Sequence, residues 1–233
     1  MQIQILNRKF YFTLYFRIFV SMQNHQKNEL HDIISGKSQV SFGTIIQAAA
    51  SYLNDGSQSS PEIEISKQIR EKETKKLEDF ISRSNLWLND IDFSQYISEG
   101  AEQRVYLKDS DHVLKLNDAI YYSYWRDYFH NLLLHNYFFP DTSYELIGFT
   151  KEKDILYAVV KQAYVTITQE TDLNKVKEFL ESNGFINIRN NDYINTEIGI
   201  ILEDLHDENV LTKNDILYFI DTVFYITKDF WIK

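Results

Sequence analysis

The chain has 233 residues, 44% of them hydrophobic and 25% charged, an ordinary globular composition with length for one large domain or two small ones. It contains no cysteine, which excludes a disulfide framework, a thiolate zinc site, an iron–sulfur cluster and a cysteine nucleophile, and suits a reducing cytoplasm. The net charge of −10 is uneven: residues 1–95 carry 11 Lys/Arg and 11 Asp/Glu, while residues 96–233 carry 13 and 23, a balance that opposes an extended nucleic-acid surface and suits a divalent cation better.

The apolar run at residues 10–22 follows Arg8 and Lys9, but Arg17 interrupts it and it is shorter than the ~20 residues that cross a bilayer. No small-residue cleavage site follows it. A buried strand, or an extension upstream of a start at Met22, is the expectation, with a soluble, cytoplasmic protein and no membrane partner. The Ala-rich stretch 43–53 predicts a short helix and residues 54–60 a linker. Ser60 as N-cap and Pro61 at the first helical position open an amphipathic helix over 61–85, its apolar face formed by Ile65, Ile69, Leu77, Phe80 and Ile81. At residue 92 the texture changes, so residues 1–91 are expected to form a helical accessory region and residues 92–233 a second unit. That unit opens with strands at 93–98, 104–108 and 112–116, separated by Glu99-Gly100-Ala101 and Asp109-Ser110-Asp111. A helix over 118–137 stops at Pro140. Strands at 144–150 and 155–162 follow, then a helix over 171–182 closed by Asn183-Gly184. An Asn-rich polar loop, the apolar run Ile198 to Leu202 and a strand at 216–220 ending at Asp221 complete the pattern.

Three pieces carry chemistry. The turn at Gly100, flanked by Ala101 and Glu102, lets backbone N–H groups approach phosphate, and Lys115 on the adjoining strand can reach the same phosphates. Taken alone, this piece reads more readily as an ordinary hairpin with Lys115 at an edge. Asp204-Leu205-His206 with Asn209 has the spacing at which a phosphotransferase loop presents a carboxylate to an acceptor hydroxyl and an amide oxygen to Mg²⁺. Asp221, at the end of an apolar strand, can hold the second metal position beside Asn209. His206 reads as an orienting residue of the loop, and the aromatic stripe Tyr121, Tyr124, Trp125, Tyr128 and Phe129 as core packing.

The strings Asp204 to Leu211 and Ile220-Asp221 resemble the catalytic and metal-binding motifs of the aminoglycoside phosphotransferase and choline kinase branch. Ser98-Glu99-Gly100-Ala101-Glu102-Gln103-x-Val105-Tyr106, His135-Asn136-x-x-Phe139-Pro140-x-Thr142-x-Tyr144-x-Leu146-x-Gly148-Phe149 and the Asp-Leu-His loop resemble more closely the kinase domains of polyvalent proteins of phages and mobile elements. The resemblance covers residues 92–226. It implies an α+β, compact protein-kinase-like fold, with a small antiparallel sheet in the N-lobe and a truncated helical C-lobe. It also implies ATP and Mg²⁺ as ligands, and transfer of the γ-phosphate to a hydroxyl on a protein or a small molecule. Lys115 would hold the α- and β-phosphates under Gly100, Ala101 and Glu102, and Gln162-Ala163-Tyr164 would lie beside the adenine. Asp204 would accept the acceptor's proton, and Asn209 and Asp221 would bind Mg²⁺. The long helix has no glutamate to pair with Lys115; Asp127 stands in for it, with Asp118 and Glu102 as alternatives. Because the phosphate turn has one glycine where the family pattern has three, and only twelve residues follow Asp221, a degenerate kinase fold acting as a nucleotide-sensing or interaction module is the competing reading.

Overall fold

The computed structural model describes residues 25–54, 63–100 and 103–232. The apolar run at 10–22 therefore lies outside the described residues. Helix α1 covers residues 25–34, α2 Gly43–Leu53 and α3 Ile63–Arg83. They pack around α4, Trp125–Phe138, through Leu30, Ile33, Ile46, Leu77 and Ile81 on one side and Phe129, Leu132 and Leu133 on the other. None of the described helices is long and apolar enough to cross a membrane.

Five short strands form an antiparallel sheet: β1 Tyr96–Glu99, β2 Gln103–Leu107, β3 His112–Asn117, β4 Glu145–Glu152 and β5 Ile155–Ala163, in the order β1-β2-β3-β5-β4. The segment after α3 closes the β4 edge, where Leu88 N donates to Phe149 O at 2.8 Å and Phe149 N to Leu86 O at 2.8 Å. Phe149 and Leu146 of β4 share one buried cluster with α1, α2 and α3. Elements on both sides of residue 92 thus share one buried core.

Helix α4 begins seven residues later than the apolar spacing predicts. Three polar contacts from α3 explain the delay. The Arg70 guanidinium donates to the carbonyls of Asp118 (2.9 Å), Ala119 (2.7 Å) and Tyr122, holding residues 118–122 out of a helical ladder. Asn117 Oδ1 accepts from Ala119 N at 2.6 Å and adds a local turn. Glu73 then accepts from Trp125 N (2.7 Å) and Arg126 N (3.3 Å), so a carboxylate from another helix satisfies the first free N–H groups of α4 and meets the positive end of its dipole.

After β5 the chain forms α5, Leu173–Ser182, capped by Asp172 accepting from Asn174 N. The rest departs from the expected helical C-lobe. Strands β6 Ile186–Arg189, β7 Asp192–Asn195, β8 Ile200–Glu203 and β11 Val223–Ile226 make a second antiparallel sheet in the order β11-β8-β7-β6, and β9 Val210–Lys213 pairs with β10 Ile216–Phe219. The Asn-rich stretch becomes a hairpin: Asn190 adopts a positive φ of 46°, which asparagine tolerates better than most residues. The alternation of Tyr193 and Asn195 inward with Asp192 and Ile194 outward follows the two-residue period of a half-buried strand.

Candidate active site

A cleft of about 320 Å³ opens between the β1–β2 turn and the segments flanking β9 and β10. Gly100, Lys115, Gln162, Tyr164, Asn209 and Asp221 line it. Lys115 sits in the middle of β3, between Val105 of β2 and Val160 of β5, and is 4% exposed. Its Nζ donates to Ile220 O at 2.7 Å, lies 3.9 Å from Asp221 Oδ2 and stands 5.4 Å from the centre of the Tyr144 ring. Among the described residues, the acid beside Lys115 is Asp221.

This corrects the assignment of Asp127. That residue belongs to the first turn of α4 and lines a different cavity, of about 490 Å³, with Arg126, His130 and Trp231; burial pushes its carboxyl above the ordinary value.

The Asp204 loop begins where β8 ends. Asp204 takes a φ of 65°, and its N–H donates to Asp192 Oδ1 at 3.1 Å. Asn209 Nδ2 donates to Asp204 O (2.8 Å) and Oδ2 (3.0 Å), which commits the amide nitrogen and leaves Oδ1 as the free donor atom of that side chain. His206 Nδ1 accepts from Glu208 N at 3.3 Å, and its Nε2 lies 3.1 Å from Asn209 Nδ2 and 3.4 Å from Asp204 Oδ1. The Asp204 side chain is 58% exposed; it does not line the cleft and reaches it through Asn209. Ile220 N and Asp221 N both donate to Asn209 O, at 2.9 and 3.3 Å, which fixes Asp221 next to Asn209.

Two contacts to Asp221 come from residues to which sequence reasoning gave no role. Gln103 Nε2 donates to Asp221 Oδ2. The Tyr144 hydroxyl donates to Ile220 O at 2.9 Å and stands 3.5 Å from Asp221 Oδ1. Burial, reinforced by the Asp221 charge, raises the Tyr144 phenol well above its usual range, so it remains a protonated donor. Both residues lie within motif strings quoted above, but neither carries a charge that would single it out.

The other expected residues are distributed as follows. Among the described residues, a Cβ at Gly100 would meet only Gln103 O, at 3.9 Å, so packing against them does not demand glycine there. Ala101 and Glu102 lie outside the described residues. The Gln162 side chain is buried and donates to Thr142 O at 2.7 Å, whereas the Tyr164 ring is 45% exposed and Tyr164 N donates to Asp111 O at 2.8 Å.

Behind the cleft, His135 ties these parts together. Its Nε2 donates to Thr142 O at 2.9 Å and its Nδ1 accepts from Thr222 Oγ1 at 2.7 Å, while Thr142 Oγ1 donates to Phe219 O at 2.6 Å. The ring is fully buried, and burial lowers its pKa to about 3. Its unfolded value is 6.5, so between these limits the unfolded chain binds the extra proton and stability falls as pH falls. The expected loss is ~1.4 kcal/mol for each pH unit below 6.5 from this group. Urea denaturation from pH 7 to pH 4 checks it: His135→Gln should start less stable and show a shallower acid slope.

No group of three or more His, Cys, Asp or Glu among the described residues is placed to hold a metal ion. The amide oxygen of Asn209 and the carboxylate of Asp221 are two adjacent hard oxygen donors beside a lysine. Magnesium commonly takes one or two protein oxygens and fills its remaining positions from phosphates and water, so this donor set fits a magnesium carried in on a nucleotide. A family model described as a serine/threonine/tyrosine kinase found in polyvalent proteins matches residues 70–228. No curated protein matches the chain.

Proposed function

The chain belongs to the serine/threonine/tyrosine kinases found in polyvalent proteins, and from that premise we propose that it transfers the γ-phosphate of Mg·ATP to a hydroxyl on a protein. The observation that carries this reading is the convergence of Lys115, Asn209 and Asp221 on one cleft beneath the Gly100 turn. On ATP binding Lys115 exchanges Ile220 O for oxygens of the α- and β-phosphates, its stem held by both neighbouring strands. Asn209 Oδ1 and Asp221 would hold the cation, with Gln103 Nε2 orienting the Asp221 carboxylate. Bound there, magnesium neutralises charge on the phosphate oxygens and aligns them for transfer.

Asp204 accepts the proton of the attacking hydroxyl. Its orientation comes from Asn209 Nδ2 and from the backbone bond to Asp192, and its exposure leaves room for an acceptor as large as a polypeptide. Since phosphoryl transfer is mostly positioning and charge stabilisation, the tight placement of these few groups matters more than a deep pocket.

The test is incubation of the full chain with labelled ATP, Mg²⁺ and a mixed polypeptide acceptor. Transfer is expected, and Asp204→Ala should lower its rate by about 10²-fold or more while ATP affinity stays within a few-fold of the parent. A chain that binds ATP and never transfers phosphate would instead establish the degenerate, nucleotide-sensing reading.

A further inference from the structure

Resting on the kinase reading above, we propose that the outward face of the second sheet is the acceptor platform, and that its occupant is a basic polypeptide segment carrying the acceptor hydroxyl. The sheet has one buried face and one that is open except at its β11 end, where Tyr225 packs against the core beside Tyr122. Tyr193, Asn195, Ile200, Leu202 and Phe224 are buried, whereas Ile194, Ile201, Glu203 and Tyr225 are only partly covered. The register places Ile186 opposite Ile194, Ile194 opposite Ile201, and Ile201 opposite Tyr225, so a single apolar row crosses all four strands. At its β6 end Ile186 is 59% exposed and Ile188 53%.

Two residues along, in the direction that β8 takes toward the Asp204 loop, the chemistry turns acidic. Arg189 opposes Asp192 there, and Glu203 opposes Val223. Asp192 holds the backbone of Asp204. Burial, with the nearby charges of Asp192 and Asp204, raises the Glu203 carboxyl above its ordinary value, as a carboxyl does when it is desolvated among like charges. These acids form no metal-holding group among the described residues. Arg189 stands opposite Asp192 at the β6 end, so Glu203 and Asp204 carry the excess negative charge of this lip, with an aliphatic strip further out. The complement is a Lys or Arg close to the acceptor residue and an aliphatic side chain beyond it. Phosphate backbones and acidic peptides meet repulsion at the same lip. β6 is also the edge of its sheet, where an extended segment can add main-chain hydrogen bonds.

The test uses the full chain and degenerate peptide pools with a fixed central Ser, Thr or Tyr. Labelled ATP should mark pools with Lys or Arg near the acceptor and leave acidic pools unmarked. Fluorescence anisotropy of the preferred peptide, without nucleotide, reads docking apart from chemistry. Ile186→Asp and Glu203→Lys are each expected to weaken that docking by about tenfold, and thermal melts identify any variant that has lost its fold. If transfer ignores peptide charge, or both folded variants bind as tightly as the parent, the platform is overturned and the kinase reading stands. If the basic peptide docks as described but never receives phosphate, the kinase reading is overturned and the docking surface stands. If these substitutions instead dissolve a dimer seen by sedimentation, the face belongs to a second copy of the chain and the peptide assignment is overturned.

Discussion

Asp221→Asn is expected to lower phosphoryl transfer by about 10³-fold or more, with little change in thermal stability. The substitution keeps the shape of the side chain and one oxygen that Gln103 can still meet. It removes the negative charge 3.9 Å from Lys115 Nζ and the anionic oxygen best suited to a cation. Lys115 keeps Ile220 O as acceptor, so the buried ammonium is not left without a hydrogen bond, and the fold survives. The loss should appear mainly in kcat, and raising Mg²⁺ should recover only a small part of it, because a neutral amide oxygen is a weaker magnesium ligand than a carboxylate. Steady-state rates over a magnesium titration check this. Transfer that stays within tenfold of the parent would remove Asp221 from the metal-binding role and with it the proposed geometry of the cleft.

Four strands of the first sheet, β2 to β5, were legible in the sequence because they run over five or more residues and are bounded by turn residues. The start of α4 was not legible, since it depends on Arg70 and Glu73, about fifty positions away in the chain. The second sheet was missed for another reason: its strands have four residues each, too few for a period of two to stand out from an Asn-rich loop. Within the site, Lys115, Asn209 and Asp221 were each visible as residue types at telling positions, but only the fold brings them to one cleft. The kinase resemblance points to Asp127 because it implies an acidic partner on the helix that follows the lysine-bearing strand. The first turn of α4 faces the cavity beside α1 and α2 instead, and the acid at Lys115 comes from the far end of the chain. Gln103 and Tyr144 act on Asp221 through neutral hydrogen bonds, which leave no charge pattern for a sequence to display.

The loop that carries Asp204 is held from behind by a second long-range constraint, and Gly199→Ala is expected to break it. Gly199 has a φ of +71°, and a Cβ there would sit 2.3 Å from Phe230 N and 2.7 Å from Phe230 Cα. The obstacle is backbone, so no side-chain rotation relieves it. Gly199 N donates to Asn195 O at 2.9 Å, and Gly199 O accepts from Thr227 N and Thr227 Oγ1, each at 3.0 Å. Phe230 itself is fully buried and stacks on His31 of α1 at 4.2 Å. An alanine must therefore push the 228–231 turn away from the start of β8 and loosen its docking on α1. The left-handed conformation costs ~1–2 kcal/mol for a residue with a Cβ, and forcing atoms into a packed region adds ~1–3 kcal/mol. The expected destabilisation is ~3 kcal/mol, a large fraction of the total for a domain of this size. Gly36→Ala is the control: its φ is +76° but nothing lies within 4 Å of the new Cβ, so only the conformational cost of ~1–2 kcal/mol applies. Urea midpoints for the two variants separate the close approach from the dihedral. Because β8 runs directly into Asp204, Gly199→Ala should also lower phosphoryl transfer at temperatures where the protein is still folded, whereas Gly36→Ala should leave it unchanged. Equal midpoints for the two variants would mean that the 228–231 turn yields without cost and does not brace the catalytic loop.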